Sequence, residues 1–273
     1  MLDSKSVFLS TKSTKLKAEN YAERLRRAFE ERKAIDPLRN EIGLDNLNFA
    51  YEIQDINTKL RIQEGARVVG KKIGLTSKAV QKQLGVDQPD YGILFHDMEV
   101  LNGSSISVKE MMQPKVEAEV AFVLGDDLDG EGITIVDLLA CIDYALPAIE
   151  IVGSRIKDWD IKITDTIADN ASASHYVLGH TPRTLDEFDV IECKMQMKKN
   201  NEIVSEGTGA ACLGSPLNAT LWLANKMIEL GNPLKAGELI FSGAIGPMSN
   251  VTANDRIFVN IEGLGHVSVS FEE

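Results

Sequence analysis

The sequence has no long apolar run and no secretion signal. No segment of its 273 residues approaches the roughly 20 consecutive apolar residues that a membrane-spanning helix needs. Its first residues, MLDSKSVFLSTKSTKLKAEN, also lack the continuous apolar stretch of a signal peptide. The sequence therefore predicts a cytoplasmic protein without membrane contact.

Cysteine and histidine are scarce and unfavourably spaced for metal binding. The chain has three distant cysteines, Cys141, Cys193 and Cys212, with no CxxC pair, and its four histidines form no HxxxH spacing. Neither a disulfide framework nor a zinc site is predicted. We expect each thiol to be a small buried hydrophobic side chain.

The chain has fewer basic than acidic residues. The chain carries 29 Lys and Arg against 41 Asp and Glu, which gives a formal net charge of -12. A field of this sign repels phosphate backbones, so nucleic acid is not an expected partner. It also repels an anionic small substrate, and the binding site for such a substrate must therefore contain local positive charge.

Low-complexity tracts are absent, and hydrophobic residues make up 44% of the chain, which is typical of a folded globular protein. From residue 67 the sequence consists of short apolar alternations punctuated by glycine, which predict strands. Apolar periodicity and end signals predict helices over 15–35, 45–66, 77–84, 134–144 and 216–230.

The predicted strands do not alternate regularly with helices, which disfavours a Rossmann fold or an α/β barrel. We predict an α+β protein whose core is a mixed, largely antiparallel β structure. Residues 1–66 would form an N-terminal helical portion and residues 67–273 a catalytic β-rich domain, packed together as one compact unit.

Two glutamates interrupt the apolar segment VEAEVAFVL. Residues i and i+2 of a strand point to the same face, so Glu117 and Glu119 should project side by side. Two like charges in a partly buried position are unfavourable unless a cation or a shared proton compensates them. The pair alone also fits the polar outer face of an exposed strand.

A third carboxylate strengthens the metal interpretation. Glu150 is the single charge in the apolar run 145–152, where an unpaired acid costs several kcal/mol, on the order of a buried unpaired polar group. Three carboxylates without a nearby histidine favour a hard cation that prefers oxygen ligands, Mg²⁺ or Mn²⁺, over zinc.

Four long segments closely resemble the 2-keto-4-pentenoate hydratase branch of the fumarylacetoacetate hydrolase superfamily. The resemblance implies a β-roll core of the fumarylacetoacetate hydrolase C-terminal type, with N-terminal helices. The segments are GKKIGLTSKAVQKQLGVDQPDYGILFHDM (70–98), PKVEAEVAFVL (114–124), PAIEIVGSRIKDWDIKITDTIADNAS (147–172) and LGSPLNATLWLANKMIELGNPLKAGELIFSGAIGP (213–247).

The resemblance also implies the residues of the site. A divalent metal is held by an ExE pair and a later glutamate, which fall on Glu117, Glu119 and Glu150. Two catalytic positions fall on Lys72 and Asp90. The implied substrate-binding residues are Lys162, Ser242 and Leu94. One departure from many relatives, Met248-Ser249-Asn250 after Gly-Pro, affects an expected pocket wall.

The implied reaction adds water to 2-hydroxypenta-2,4-dienoate and gives 4-hydroxy-2-oxopentanoate, in the meta-cleavage catabolism of aromatic compounds. The enol must first become a 2-oxo-3-enoate, which a cation chelated by the C1 carboxylate and C2 oxygen would favour. The implied partners are the small 2-oxo acid substrate and further copies of the chain in a homo-oligomer. The resemblance also implies a complex with a related decarboxylase or with a downstream aldolase.

Each assigned residue also has an ordinary structural interpretation. Lys72 is expected to stabilise the dienolate, or to donate a proton to it if desolvation lowers the pKa of the lysine, but it also fits a solvated strand end. Asp90, expected as the acid/base at a pocket mouth, fits a turn residue. Lys162 fits an exposed ion pair with Asp158 or Asp160, and Ser242 fits a hydrogen bond at a strand end.

Three other functions remain open. A 4-oxalocrotonate decarboxylase of the same branch would need a second cation for its dicarboxylate substrate, and Lys162 is the candidate that the motifs offer. A hydrolase of acylpyruvates commonly uses histidine to activate water, and no histidine motif is present. A non-catalytic subunit of a hydratase or decarboxylase complex has no physical reason to keep buried like charges together.

Overall fold

The computed structural model describes residues 4–78, 81–82 and 86–273, with side chains from residue 16 onward. Of the helix predicted over 77–84, residues 78, 81 and 82 are helical, whereas residues 79–80 and 83–84 lie outside the described residues. Within the described part of the chain, no helix is both long enough and apolar enough to cross a membrane.

The N-terminal portion is helical, as the sequence predicts. Its helices are α1 (Ser4–Glu30), α2 (Arg39–Ile42) and α3 (Leu47–Gln63). Three buried residues of α1, Ala18, Ala22 and Leu25, recur at four- and three-residue spacing and so form one apolar stripe. This stripe packs in a cluster with residues of α3 and with Ile163 and Ile167, which come from much later in the chain.

Between residues 86 and 273, which are all described, the α-helices are α4 (Ile135–Cys141), α5 (Ile163–Ala168) and α6 (Pro216–Glu229). Helix α6 matches its prediction, because Ser215 accepts a hydrogen bond from the Leu217 amide and proline occupies the first turn. The helix predicted over 134–144 is too long. The chain enters a strand at Ile142, because the next eleven residues are paired and almost all buried.

In the described part of the chain, twelve strands form two sheets. They are β1 (Val68–Gly74), β2 (Asp90–Phe95), β3 (Ser105–Ser107), β4 (Lys115–Leu124), β5 (Ile142–Val152), β6 (Ala173–Leu178), β7 (Lys194–Lys199), β8 (Glu202–Thr208), β9 (Leu239–Ala244), β10 (Ser249–Asn250), β11 (Arg256–Ile261) and β12 (Gly265–Glu272). The larger sheet has the order β2-β1-β9-β4-β5-β6, with β10 also paired to β4, and the smaller has the order β3-β12-β11-β7-β8.

All strand pairs are antiparallel except β1 with β9 and β3 with β12. This arrangement confirms the predicted α+β class and its mixed, largely antiparallel core. One apolar core joins the two sheets, and β5 contacts both β11 and β12. On β4, Val116, Val120 and Phe122 belong to this core, so the alternate residues of β4 point to the other face.

Candidate active site

The three predicted metal ligands lie together on one face of the larger sheet. Glu117 of β4 is directly opposite Glu150 of β5, and Glu119 follows two residues later on the same face. One carboxylate oxygen from each glutamate lies within 4.8 Å of the other two. Cross-strand register and the two-residue period of β4 therefore assemble the triad.

The triad contains buried acceptor atoms without hydrogen-bond partners. One oxygen of Glu119 accepts a 2.7 Å hydrogen bond from the Gly243 amide, whereas its other oxygen and both oxygens of Glu150 accept none. Buried carboxylate oxygens that accept no hydrogen bond are costly, and their convergence fits the oxygen ligands of a divalent cation. The acidic triad can therefore hold a metal ion.

The electrostatics of the triad also favour a bound cation. Burial, together with the charge of Glu150, raises the pKa of Glu117 to about 7, although Lys72 and Lys115 oppose this shift. Burial and the two neighbouring glutamates hold the pKa of Glu119 well above its usual range. Deprotonation of all three glutamates is therefore unfavourable unless a bound cation compensates their charge.

Lys72 is a buried neighbour of the triad and not a solvated strand end. Its Nζ lies 3.1 Å from Glu150 Oε2 and donates a 2.9 Å hydrogen bond to the Ala171 carbonyl. The condition for a proton-donating Lys72, a pKa lowered by desolvation, is not met. Burial does oppose the charge, but the carboxylates of Glu150 and Asp90 outweigh it and raise the pKa above the ordinary value.

Asp90 is the first residue of β2, and it is 1% exposed. The sequence placed it in a turn at a pocket mouth, which is wrong in both respects. Burial raises the pKa of its carboxyl, although the charge of Lys72 lowers it. A Cβ added to Gly74 would lie 2.2 Å from Asp90 Oδ1 and 3.5 Å from Lys72 Nζ. Glycine at this position therefore keeps open the space beside both groups.

A strained segment that the sequence did not reveal supports Lys72. Asn170, Ala171 and Ser172 have positive φ angles of 54°, 49° and 59°, a sparsely populated conformation for non-glycine residues. The Asn170 side chain accepts from the Ile93 amide at 2.8 Å and donates to the Ile93 carbonyl at 3.0 Å. These bonds pair the free edge of β2 and fix the Ala171 carbonyl that Lys72 contacts.

The three predicted substrate-binding residues occupy different environments. Leu94 is buried on β2, on the same face as Asp90. The Ser242 hydroxyl donates a 2.7 Å hydrogen bond to the Val120 carbonyl, as a structural strand residue does. Lys162 precedes α5, and Asp160, one of its two expected ion-pair partners beside Asp158, pairs with an arginine of α2. A role of these three residues in binding substrate stays a prediction.

Lys115 is a further cation beside the triad that the sequence reasoning missed. It lies two residues before Glu117 on β4 and therefore on the same face. The strand period that identified the glutamates would also have identified this lysine. Its packing partner Trp159 is 44 positions away in sequence, as the two residue numbers show, and no local pattern connects them.

The buried-thiol prediction holds for two of the three cysteines. Cys193 and Cys212 are buried, whereas Cys141 is half-buried, and all three are free thiols. Cys212 donates a hydrogen bond to the Ser242 carbonyl at 3.0 Å, and burial raises its pKa to about 12. The Cys212 thiol is therefore protonated, and it packs beside the site as a small buried side chain.

Comparison with known proteins gives matches over nearly the whole chain. The family model for the C-terminal region of fumarylacetoacetate (FAA) hydrolase matches residues 63–271. The TodF product hydratase of Pseudomonas putida strain F1 is 56% identical over 238 residues, which cover 87% of this chain and 89% of that protein. The 2-keto-4-pentenoate hydratase 1 of Dechloromonas aromatica strain RCB is 51% identical over 256 residues, which cover 94% of this chain and 97% of that protein.

A solved structure with a different activity shares the same fold. It is the 4-oxalocrotonate decarboxylase from Pseudomonas putida G7, complexed with magnesium and adipate. The TM-score is 0.90 at 34% sequence identity, and the match covers 93% of this chain and 97% of that chain. The backbone arrangement described above is therefore compatible with both hydration and decarboxylation.

Proposed function

This chain belongs to the fumarylacetoacetate hydrolase family, and from that premise we propose that it is a 2-keto-4-pentenoate hydratase. It is a lyase that adds water to 2-hydroxypenta-2,4-dienoate and forms 4-hydroxy-2-oxopentanoate. One observation carries the proposal. A chain about half identical to proteins named as hydratases has Lys72, Asp90 and the glutamate triad on one buried sheet face.

We propose Mg²⁺ or Mn²⁺ as the metal, held by Glu117, Glu119 and Glu150. The support is an all-carboxylate donor set with buried oxygens that lack hydrogen bonds. When bound, the ion would supply Lewis-acid chemistry at the C1 carboxylate and C2 oxygen of the substrate.

Lys72 and Asp90 are proposed as the acid/base pair. The Lys72 ammonium is held by Glu150 and the Ala171 carbonyl, so its charge is fixed where it can stabilise a dienolate. Asp90 is buried and its pKa is raised, which suits a carboxyl that moves the C5 proton or orients the water. The absence of a side chain at Gly74 leaves room between these two groups.

Charge alone does not distinguish the hydratase from the decarboxylase. The sequence argument held that a dicarboxylate would lack a second cation, with Lys162 as the one candidate. Lys115 is a second cation beside the triad, so the premise that Lys162 is the one candidate is wrong. The preference for hydration rests on the identity to the hydratases.

The decisive experiment compares the two reactions on one protein preparation. Purified protein is given the dienoate or 4-oxalocrotonate at equal concentration, with Mg²⁺ or Mn²⁺, and dienoate loss and CO₂ release are followed. We expect 4-hydroxy-2-oxopentanoate from the dienoate and little CO₂. Faster CO₂ release than hydration would overturn the hydratase assignment. Full activity of the metal-stripped protein in excess EDTA would overturn the metal requirement.

The proposal extends to the setting of the enzyme. We propose a homo-oligomer in the cytoplasm, acting on a small 2-oxo acid and associating with a related decarboxylase or a downstream aldolase. Light scattering after size-exclusion chromatography measures the number of subunits. Co-elution with either candidate enzyme tests the complex, and elution as a monomer alone would contradict the assembly.

A further inference from the structure

Lys115 is held in position by an aromatic platform. Its Nζ lies 4.4 Å from the centroid of the Trp159 ring, which is within the range of a cation–π interaction. The Trp159 indole donates a 2.9 Å hydrogen bond to the Gln113 carbonyl. This hydrogen bond fixes the ring against the segment that precedes β4, and the ring in turn contacts the Lys115 ammonium.

Gln113 also ties down the loop that carries the tryptophan. Its Nε2 donates to the carbonyls of Ser154 and Ile156 at 2.9 and 2.7 Å, and its Oε1 accepts from the Asp158 amide at 2.9 Å. Gln113, Asp158 and Trp159 all have positive φ angles, a conformation that is unfavourable for non-glycine residues. The hydrogen bonds hold this unfavourable conformation, and with it the platform under Lys115.

The position of Lys115 gives the site an outer and an inner end. Along one face of β4, Lys115 and Glu117 are partly exposed, whereas Glu119 is fully buried. Lys72 and Asp90 are buried at the inner end. Lys115 also lies opposite Asn250 of β10.

The two lysines differ in their availability to a ligand. Lys72 already contacts a carboxylate and a carbonyl. Lys115 has no carboxylate within ion-pair distance among the described residues and rests on an aromatic ring instead. An ammonium held this way keeps its hydrogen-bond donors for an incoming anion. In a chain of net charge -12, it meets the requirement for local positive charge at the entrance.

We propose that Lys115 binds the carboxylate of the 2-oxo acid at the outer end of the glutamate triad, so that the substrate tail points inward to Lys72 and Asp90. This orientation brings the only charge of the substrate to the available cation and its reacting carbons to the proposed acid/base pair. The inference rests on the proposed function for the class of substrate. It makes Lys115 a substrate-binding residue that determines orientation.

Binding of pyruvate to the Mg²⁺-loaded protein tests the proposal without turnover. Pyruvate has the carboxylate and the 2-oxo group but no tail. In isothermal titration calorimetry, Lys115→Met should weaken pyruvate binding by about 10- to 100-fold, the value of a charge-assisted hydrogen bond. Lys115→Arg should retain most of the affinity. The matched control Lys198→Met removes a half-buried lysine from β7, and it should leave the affinity unchanged.

A second ligand distinguishes the two possible directions of the substrate. The dicarboxylate 2-oxoadipate should lose the same factor as pyruvate in Lys115→Met, because both share the carboxylate that Lys115 binds. A loss confined to 2-oxoadipate would mean that Lys115 faces the tail, and it would overturn the proposal. Unchanged binding of both ligands would overturn it as well.

Controls separate a binding effect from a folding defect and from failure of the proposed function. Mn²⁺ affinity and the thermal melting temperature should stay close to the wild-type values in both Lys115 variants. If Lys115→Met does not fold, Lys115→Gln takes its place in the same titration. The wild-type protein could fail to hydrate the dienoate while Lys115→Met still weakens pyruvate binding. This result would refute the hydratase function but support the proposed role of Lys115 in orienting the 2-oxo acid.

Discussion

At the scale of single residues, neighbouring lysines of β1 have opposite roles. Lys72 points to the triad, whereas Lys71 points to the other face and pairs with Glu238 at 2.8 Å. We predict that Lys72→Ala lowers kcat by about 10²–10⁴, the usual contribution of a general acid/base group. The matched variant Lys71→Met should destabilise the protein, because it leaves Glu238 unpaired, yet keep kcat near wild type. An unchanged rate of Lys72→Ala at saturating substrate would refute the catalytic role.

His175 provides a second test at this scale. Its burial, aided by the charges of Arg61 and Arg32 and opposed by Asp97, lowers its pKa to about 4. In the unfolded chain a histidine takes up a proton near its ordinary pKa of about 6.5. Between these values the unfolded state binds more protons, so the free energy of unfolding should fall as the pH decreases from about 6.5 to 4.

Denaturant unfolding across this pH range measures the effect. In His175→Asn the amide oxygen can replace Nδ1 as the partner of the Ser174 hydroxyl, which now lies 3.0 Å from that nitrogen. This variant has no group that titrates near neutrality. Its stability should therefore fall less steeply than that of the wild type, and parallel curves would contradict the assignment.

At the scale of elements, β2 depends on a side chain for its outer edge. Strand β2 ends the larger sheet, and Asn170 supplies the hydrogen bonds to Ile93 that a further strand would supply. We predict that Asn170→Ala costs about 1–3 kcal/mol of stability, since it leaves a buried donor and acceptor unpaired. It should also lower kcat more than it raises KM, because the Ala171 carbonyl would no longer fix Lys72.

The conservative variant Asn170→Asp distinguishes these two effects. An aspartate can still accept from the Ile93 amide, but it cannot donate to the Ile93 carbonyl. We expect intermediate values of both stability and kcat, measured by thermal melting and steady-state kinetics. A loss of stability in Asn170→Ala with unchanged kcat would show that Asn170 supports the edge of the sheet but does not position Lys72.

A comparison of strands β4 and β2 shows where the sequence predicts a strand and where it does not. Strand β4 was predictable together with its glutamates, because one of its faces is apolar and the other carries charge. Strand β2 was not, because all six of its residues are buried and no alternation is visible. The preceding proline and the aspartate that begins β2 also resemble a turn.

Long-range contacts explain most of what the sequence could not reveal. The site residues Lys72, Asp90 and the three glutamates were identified from spacing and resemblance. Their burial, and the raised pKa of Lys72, follow from contacts with residues far along the chain. The Trp159 platform and the Asn170 edge depend on left-handed backbone conformations at non-glycine residues, which local propensity disfavours. The division into 1–66 and 67–273 stays a prediction.

At the scale of the whole molecule, the triad should couple metal binding to the stability of the fold. Glu117, Glu119 and Glu150 join the central strands β4 and β5, and their mutual repulsion opposes folding unless a cation binds. A ligand that binds only the folded state stabilises it by about 2.7 kcal/mol at 100 times its Kd. For a protein of this size we therefore expect Mg²⁺ or Mn²⁺ to raise Tm by roughly 5–10 °C over the protein in EDTA.

Glu119→Gln makes this last prediction specific to the triad. The glutamine oxygen can keep the hydrogen bond from the Gly243 amide, which is now 2.7 Å long, while one negative charge is removed. Without metal, the variant should melt at or above the temperature of the wild type, because the repulsion among the buried carboxylates is reduced. With metal, its Tm should not rise and its turnover should be abolished. A metal-dependent rise in Tm equal to that of the wild type would show that the stabilising ion binds elsewhere.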